Sequence, residues 1–232
     1  MALNFGLGLG FRRVGNGGGG GGAVAFTDGF SGSADDPSVD STKWLQLTRT
    51  PETTGVDTGK LAIDRVAFNA SGYFTAYAKS IYENGVSDTF KYVCNPTNQS
   101  GHLIGLMVRH VSKTSTKVDN ENADTPDGYE VVLHDESWGD LSYVKRWNSG
   151  VGTLIGAAFT ATGLAAGSES AVEIIVAAGA GQVDFTIKVD AATVATRADN
   201  GASRITAAGY SGLAIKSDWA DGMTIDDFQI NP

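Results

Sequence analysis

The acidic residues of the segment EVVLHDESWGD are the first candidates for chemistry in this chain. Glu130, Asp135, Glu136 and Asp140 lie within this single stretch. Two carboxyl groups about 5 to 5.5 Å apart can cleave a glycosidic bond, one as the acid and the other as the nucleophile. Asp135 and Glu136 are consecutive, so in a strand their side chains point to opposite faces. The spacing therefore predicts that the protein is not an enzyme.

Aromatic side chains cluster in the same region. Trp138, Tyr143 and Trp147 surround a predicted hairpin, with Asp140 and Arg146 nearby. Aromatic faces with a few polar groups are typical of sugar-binding platforms, so these five residues form our candidate glycan site. Large aromatic side chains are also typical of cores and subunit contacts, and the sequence favours that second interpretation for some of them.

The three histidines do not form a metal-binding pattern. His102, His110 and His134 have no second type of ligand at a recognised metal spacing. We expect them to be solvent-facing residues of strands or loops.

Composition narrows the class of protein. The chain has 232 residues, 41% of them hydrophobic, which is enough for one large β domain. A formal charge of −9 and a pI near 4.7 argue against nucleic acid as the main partner, because the phosphate backbone requires a basic surface. Cys94 is the single cysteine, so the chain has no internal disulfide. No stretch approaches the roughly 18 apolar residues of a membrane helix, so we expect no membrane partner.

The first 22 residues have an unusual pattern. Large apolar residues occupy every second position from residue 3 to residue 11, namely Leu3, Phe5, Leu7, Leu9 and Phe11. Glycine or asparagine occupies the positions between them. In an extended chain this pattern gives one apolar face and one nearly bare face. Arg12 and Arg13 follow, then six consecutive glycines. We predict an anchoring arm over residues 1–11, a flexible tether over 12–22 and a globular domain over 23–232. A secretory signal is not expected, because the arginines follow the apolar part.

Beyond residue 22 the sequence predicts strands. Fourteen short β-prone runs are separated by Gly, Asn, Asp and Ser, which is typical of an all-β sandwich. In GYEVVLHDE, alternation places Tyr129, Val131 and Leu133 on a buried face. Glu130 and Val132 share the opposite face, which we expect to contact water as in antiparallel sheets. The predicted core contains Trp44, Tyr129, Val131, Leu133, Phe185, Ile187 and Phe228.

Four segments of the domain resemble the concanavalin-A-like lectin/glucanase superfamily, in its laminin-G-like branch. They are FTDGFSG with Trp44, GLMVRH followed by DGYEVVL, VEIIVAAGAGQVDFTIKVDAATVA, and GYSGLAIKS followed by MTIDDFQI. The resemblance implies a two-sheet antiparallel jelly-roll sandwich in which the first and last strands pair. The family includes lectins, glycoside hydrolases and structural modules, so the fold does not choose among them. Its glucanases carry Glu-x-Asp-x-x-Glu on the catalytic strand, a spacing that this chain lacks.

The resemblance also implies a candidate calcium site. Asp28 in the first strand would lie near Asp226 or Asp227 in the last strand if the two strands pair, and calcium takes several oxygen ligands. The alternative, which the sequence favours, is that the acidic residues belong to solvated loops. Apart from calcium, no cofactor is expected.

The arm resembles the openings of structural proteins from tailed-phage particles, in which a short terminal segment docks on a neighbouring subunit. This similarity implies a non-enzymatic virion component, either a capsid decoration protein or a tail or fibre protein. Its partners would be other virion proteins in a homo-oligomeric or multi-copy assembly, and its location would be the virion. The alternative function is a carbohydrate-binding module for host-surface glycans, and the third is a glycoside hydrolase.

Overall fold

The structure is a computed structural model that describes residues 26–28, 43–50, 53–57, 60–64, 72–78, 90–97, 103–112, 127–134, 136, 139–165, 168–179, 181–207, 209–217 and 223–230. The predicted arm and tether lie outside these residues. Within them the chain forms fifteen strands and no helix: β1 Phe26–Asp28, β2 Trp44–Thr50, β3 Thr53–Asp57, β4 Lys60–Asp64, β5 Gly72–Ala78, β6 Phe90–Thr97, β7 Leu103–His110, β8 Gly128–His134, β9 Tyr143–Asn148, β10 Val151–Leu154, β11 Val172–Ala178, β12 Val183–Val189, β13 Ala192–Asp199, β14 Tyr210–Ser217 and β15 Met223–Ile230. A search of this part of the chain for a helix long and apolar enough to span a membrane finds none.

The strands form two antiparallel sheets. Sheet A has eight strands in the order β13-β12-β11-β6-β15-β4-β3, with β1 also paired to β15. Sheet B has seven strands in the order β10-β9-β8-β7-β14-β5-β2. Neighbours distant in sequence lie side by side in both sheets, as in a jelly roll. The predicted fold class is therefore confirmed.

The first and last strands pair as predicted. Phe26 lies opposite Ile230 and Asp28 lies opposite Phe228 in an antiparallel ladder. Burial of Trp44 against Phe228, with ring centroids 5.1 Å apart, links this corner to sheet B. The two ends of the described domain therefore meet in sheet A.

The core fills the space between the inner faces of the sheets. All seven residues of the predicted core are at most 2% exposed. The ring of Tyr129 from sheet B meets the ring of Phe185 from sheet A edge-on, with centroids 5.0 Å apart. Period-2 alternation predicted this face because every second side chain of a strand lies on the same side of the sheet.

Three expectations need correction. The run TTGVD forms β3, although its glycine and threonines gave no strand signal. The outer face of β8 is buried too, since Val132 packs with Met107 and Tyr143 in a second apolar cluster. His110 is 1% exposed rather than solvent-facing. Room for its ring exists because position 128 is glycine, where a Cβ would lie 2.3 Å from the His110 Cδ2.

Candidate functional site

Strand β9 places three side chains on the outer face of sheet B. Register pairs Tyr143 with Val132, Lys145 with Glu130 and Trp147 with Gly128. The three residues alternate along the strand, so they share one face. A two-residue turn at Ser149 and Gly150, both at positive φ, folds β10 back along β9.

Lys145 lies between the two aromatic rings. Its Nζ is 5.0 Å from the centroid of Tyr143 and 5.0 Å from that of Trp147, a distance at which a cation is attracted to a ring face. The indole N–H of Trp147 donates to Glu130 Oε2 at 3.2 Å. Trp147 is 1% exposed, so its ring lies beneath the surface residues and is not open to solvent. Gly152 on β10 makes room, because a Cβ there would lie 2.5 Å from Lys145 Cδ.

His134 and Asp140 form the rim at the β8 end of this surface. His134 Nδ1 lies 3.8 Å from Asp140 Oδ2, and the Asp140 side chain is 58% exposed. The amide of His134 donates to Ser142 Oγ at 3.0 Å, which holds the strand end in place. The His134 and Tyr143 rings are 6.2 Å apart. We call His134, Asp140, Tyr143, Lys145 and Trp147 the β9 surface.

The structure divides the predicted glycan set. Asp140, Tyr143 and Trp147 lie in the β9 surface, whereas Trp138 lies outside the described residues. Arg146 points to the inner side, because neighbours along a strand alternate. Lys145 and His134 were missing from the predicted set, although the period-2 spacing of Lys145 between the two aromatics is a signal that could have included it. The assignment of these residues to glycan binding stays a prediction.

Arg146 joins a polar cluster between the sheets. Its Nη1 donates to both carboxylate oxygens of Asp199 at 2.8 Å each. The Tyr129 hydroxyl donates to Asp199 Oδ2 at 2.8 Å, and the Gly201 amide donates to Asp199 Oδ1 at 3.0 Å. The carboxylate of β13 thus ties sheet A to β8 and β9 of sheet B.

Burial and hydrogen bonding control the protonation of this cluster. Burial raises the pKa of Asp199, but the hydrogen bonds from Arg146, Tyr129 and the Gly201 amide outweigh it, so the pKa lies below its ordinary value. Burial also raises the pKa of the Tyr129 hydroxyl. The cluster therefore holds an ionised Asp199 against a neutral Tyr129.

The connection from β13 to β14 is fastened to the same region. The Ile205 amide donates to the Tyr129 hydroxyl at 2.9 Å. Arg109, which is 1% exposed, donates from Nη1 to the carbonyls of Thr206 and Ala207 at 2.8 and 2.9 Å. Sequence reasoning missed Arg109 and Asp199, because no local pattern indicates contacts across 97 or 53 residues of chain.

The carboxylates considered for hydrolysis have other partners. Glu130 is 2% exposed and accepts from Trp147, as described above. Glu136 accepts from the Gly163 amide at 2.9 Å, which holds a loop. Asp140 faces His134, and Asp135 lies outside the described residues. None of these contacts joins two carboxyl groups as an acid and a nucleophile.

At the predicted calcium position Asp28 has protein partners, and its role as a calcium ligand with Asp226 or Asp227 stays a prediction. Asp28 is 4% exposed and accepts from the Trp44 indole N–H and, at 3.0 Å, from the Lys43 ammonium. Asp226 and Asp227 lie on β15, which pairs with β1, but their side chains are outside the description. Over the described residues no group of three or more His, Cys, Asp or Glu side chains could hold a metal ion.

The fold matches solved lectin-like structures. One is a Bacillus subtilis protein of unknown function with a galectin-like fold, at a TM-score of 0.59 and 12% identity over 88% of this chain and 94% of that chain. Another is the exoplasmic/lumenal domain of VIP36 in a Ca2+/Man3GlcNAc-bound form, at 0.56 and 12% over 82% and 83%. A third is a seed lectin of Lotus tetragonolobus, at 0.56 and 9% over 89% and 97%. The chain therefore has the jelly-roll fold of galectin-like and legume-lectin proteins.

Sequence comparison adds no family assignment. No protein-family model matches the chain, and no curated protein matches its sequence. The fold similarity confirms the predicted jelly-roll architecture, while membership of the concanavalin-A-like superfamily stays a prediction. The laminin-G-like branch and the phage resemblance of the arm stay predictions.

Proposed function

We propose that this domain is a lectin-like module that binds glycans on the β9 surface without cleaving them. The observation that carries the proposal is the alternation of Tyr143, Lys145 and Trp147 on the outer face of sheet B, with Lys145 held over both rings. The lectin-like fold supports the proposal, since VIP36 and the Lotus protein are solved as a sugar-bound domain and a lectin.

The β9 surface combines the groups that sugar recognition requires. Apolar contact is available from Leu141 and Leu154, which are 50% and 51% exposed. Leu154 lies opposite Lys145 in the β9–β10 ladder, and Leu141 lies two residues before β9. Asp140 and Lys145 supply an acceptor and a donor for hydroxyl groups. Such a mixture of apolar contact and a few polar groups suits the apolar faces and hydroxyl edges of a pyranose.

A glycan array followed by calorimetry on the best glycan tests the proposal. We expect Lys145→Ala to weaken binding by roughly tenfold or more, the effect of a central interface residue. Lys188→Ala is the matched control, because this lysine lies on the outer face of sheet A, bonded to Glu173 at 2.7 Å. The control should bind within about twofold of the parent. Absence of binding to any glycan, or equal binding by both variants, would contradict the proposal.

We further propose that the module lacks hydrolase activity. Glu130 is buried and bonded to the Trp147 indole, so it is not placed as a free acid or nucleophile. Incubation with β-glucans, alginate and capsular polysaccharide should release no reducing sugar at enzyme-like rates. Steady release that disappears in Glu130→Gln or Glu136→Gln would overturn this part of the proposal.

A second candidate function, a structural role in a phage particle, rests on the sequence of the arm. The alternating apolar residues Leu3 to Phe11, the following arginines and the glycine tether are typical of a segment that docks on another surface. We propose that other virion proteins are its partners, with capsid and tail or fibre as the candidate locations and several copies per particle. A glycan-binding domain on a fibre would combine both functions.

Particle incorporation tests this second function. Leu7→Asp with Leu9→Asp places two charges on the apolar face of the arm and should abolish incorporation while leaving the domain folded. Normal occupancy of that variant in purified particles would show that the apolar face of the arm is not needed for incorporation.

A further inference from the structure

An Asn–Gly pair lies at the end of β13, beside the polar cluster between the sheets. Strand β13 ends at Asp199, and Asn200 and Gly201 follow it directly. Asn200 is exposed, whereas Asp199 is 3% exposed. Glycine has no Cβ, so the nitrogen of Gly201 can approach the side-chain amide of Asn200 closely. An exposed asparagine in this position can be modified by its own backbone.

The modification is deamidation through a cyclic imide. The Gly201 nitrogen loses its proton and bonds to Asn200 Cγ, and the bond from Cγ to Nδ2 breaks. Nδ2 takes up a proton and leaves as ammonia. Water then opens the ring at Cγ to give aspartate, or at the backbone carbonyl carbon to give isoaspartate. The reaction consumes water alone, and it replaces a neutral amide by a carboxylate.

The fold holds the attacking group on both sides. The Gly201 amide donates to Asp199 Oδ1 at 3.0 Å, and the Gly201 carbonyl accepts from the Arg204 amide and Nη1 at 3.1 Å each. A Cβ on Gly201 would lie 3.0 Å from Arg146 Nη1, so the guanidinium packs directly against the glycine. The electron pair that attacks is the one that now binds the proton donated to Asp199. Attack therefore requires these contacts to open first.

The charge of Asp199 opposes the reaction as well. Arg146 and the Tyr129 hydroxyl donate to this carboxylate and keep it ionised. Loss of the Gly201 proton would create a second negative charge within hydrogen-bond distance of the first, which costs Coulomb energy where water is largely excluded. Opening of the contacts separates the two groups and removes this cost. We call Tyr129, Arg146, Asp199 and Gly201 the Asp199 cluster.

We propose that Asn200 is a deamidation site whose rate is controlled by opening of the Asp199 cluster. The closed cluster protects the site, and each local opening lets the Gly201 nitrogen reach Asn200 Cγ. The isoaspartate product cannot restore the closed cluster, because it lengthens the backbone between Asp199 and Gly201 by a methylene group and adds a charge. Modification thus releases the β13–β14 connection, which the cluster fastens to sheet B.

Peptide mapping of the full-length chain by mass spectrometry, over several days at mildly alkaline pH, tests the proposal. Asn200 should deamidate at least roughly tenfold more slowly in the folded chain than in urea, since attack requires an opening of the cluster. Asn16–Gly17 and Asn84–Gly85, the other Asn–Gly pairs of the sequence, provide reference rates in urea. Asn200→Gln should remove the product at this position, because glutamine would have to form a larger and slower ring.

Two variants test the control by the cluster. Asp199→Ala removes the acceptor of the Gly201 amide, whereas Tyr129→Phe keeps the buried ring and removes only the hydroxyl that donates to Asp199. The rate at Asn200 in the folded chain should rise by roughly tenfold in Asp199→Ala and by severalfold in Tyr129→Phe. Asp184→Ala is the matched control, because it removes a carboxylate on the outer face of β12 and should leave the rate unchanged. Circular dichroism verifies folding, and Tyr129→Phe decides if Asp199→Ala does not fold.

Three outcomes would overturn the proposal. Equal rates at Asn200 in the folded chain and in urea would show that the fold does not protect the site. Unchanged rates in the folded Asp199→Ala and Tyr129→Phe variants would show that the hydrogen bonds of the cluster do not control it. Leu133→Ala weakens the core elsewhere on β8, so an equal rise in Leu133→Ala and Tyr129→Phe would show that global unfolding sets the rate.

Discussion

Replacement of Asp199 by asparagine should destabilise the domain more than any comparable change on its surface. Asp199 is 3% exposed and accepts from Arg146, Tyr129 and the Gly201 amide. The asparagine side chain would keep one oxygen but would present an NH2 group where the second oxygen accepts from the Tyr129 hydroxyl. The Arg146 guanidinium, whose side chain is 12% exposed, would lose its counter-ion.

The expected loss is about 3 kcal/mol. Removal of one partner from a buried ion pair costs about 3–5 kcal/mol, because the other charge stays buried without compensation. The oxygen that asparagine retains can still accept from Arg146 or Gly201, which places the expected loss at the lower end. With a urea m-value of about 3 kcal/mol/M, the denaturation midpoint should fall by about 1 M.

Urea denaturation at pH 7 with Asp184→Asn as the control provides the measurement. Asp184 lies on the outer face of β12, so Asp184→Asn makes the same chemical change outside the core. Its carboxylate accepts from the side-chain amide of Gln182, whose Nε2 lies 2.8 and 3.0 Å from the two oxygens. The free energy of unfolding of this control should change by less than about 0.5 kcal/mol. Arg146→Met should cost less in the Asp199→Asn background than in the parent, since the unpaired charge is then removed. Equal midpoints for Asp199→Asn and Asp184→Asn would refute this account of the cluster.

Buried positions give three further expectations. Burial lowers the pKa of His110 from 6.5 to about 4, so the unfolded chain binds a proton at a higher pH than the folded chain does. The free energy of unfolding should therefore fall by up to roughly 3 kcal/mol as the pH drops from 6.5 to 4. Urea midpoints of the parent and of His110→Gln over this pH range measure the effect. Leu133→Ala, at a fully buried position, should cost about 2–5 kcal/mol of unfolding free energy, and an unchanged urea midpoint would contradict the burial of Leu133. Gly209→Ala should lower the melting temperature markedly, because its Cβ would lie 2.3 Å from the Arg109 carbonyl carbon, whereas Gly181→Ala, with open space around it, should not.

Much of the fold was predictable because it depends on local repetition. Alternation along β8 and β12 identified Tyr129, Leu133 and Ile187 as inward-facing, and the structure buries them. The pairing of the first strand with the last was expected from the β-prone runs at the two ends of the domain and from the family resemblance, and the structure adds the register, with Phe26 opposite Ile230. Strand β3 was missed because TTGVD lacks a repeated apolar phase, and its strand conformation comes from pairing with β4.

The candidate site was predictable only in part, because its contacts join distant segments. Sequence alone brought Tyr143 and Trp147 together, since residues four apart on one strand share a face. Alternation could also have separated Arg146 from them, because it is the neighbour of Trp147 along the strand. Only the structure decides which of the two faces of β9 meets sheet A. The sequence also could not indicate that Asp199 would meet Arg146 or that His110 would be buried beside Gly128. The Asp199–Arg146 contact exists because the sheets stack and exclude water, so each charge needs a partner from the facing sheet. The His110–Gly128 contact exists because β7 and β8, which are separate in sequence, lie side by side in sheet B.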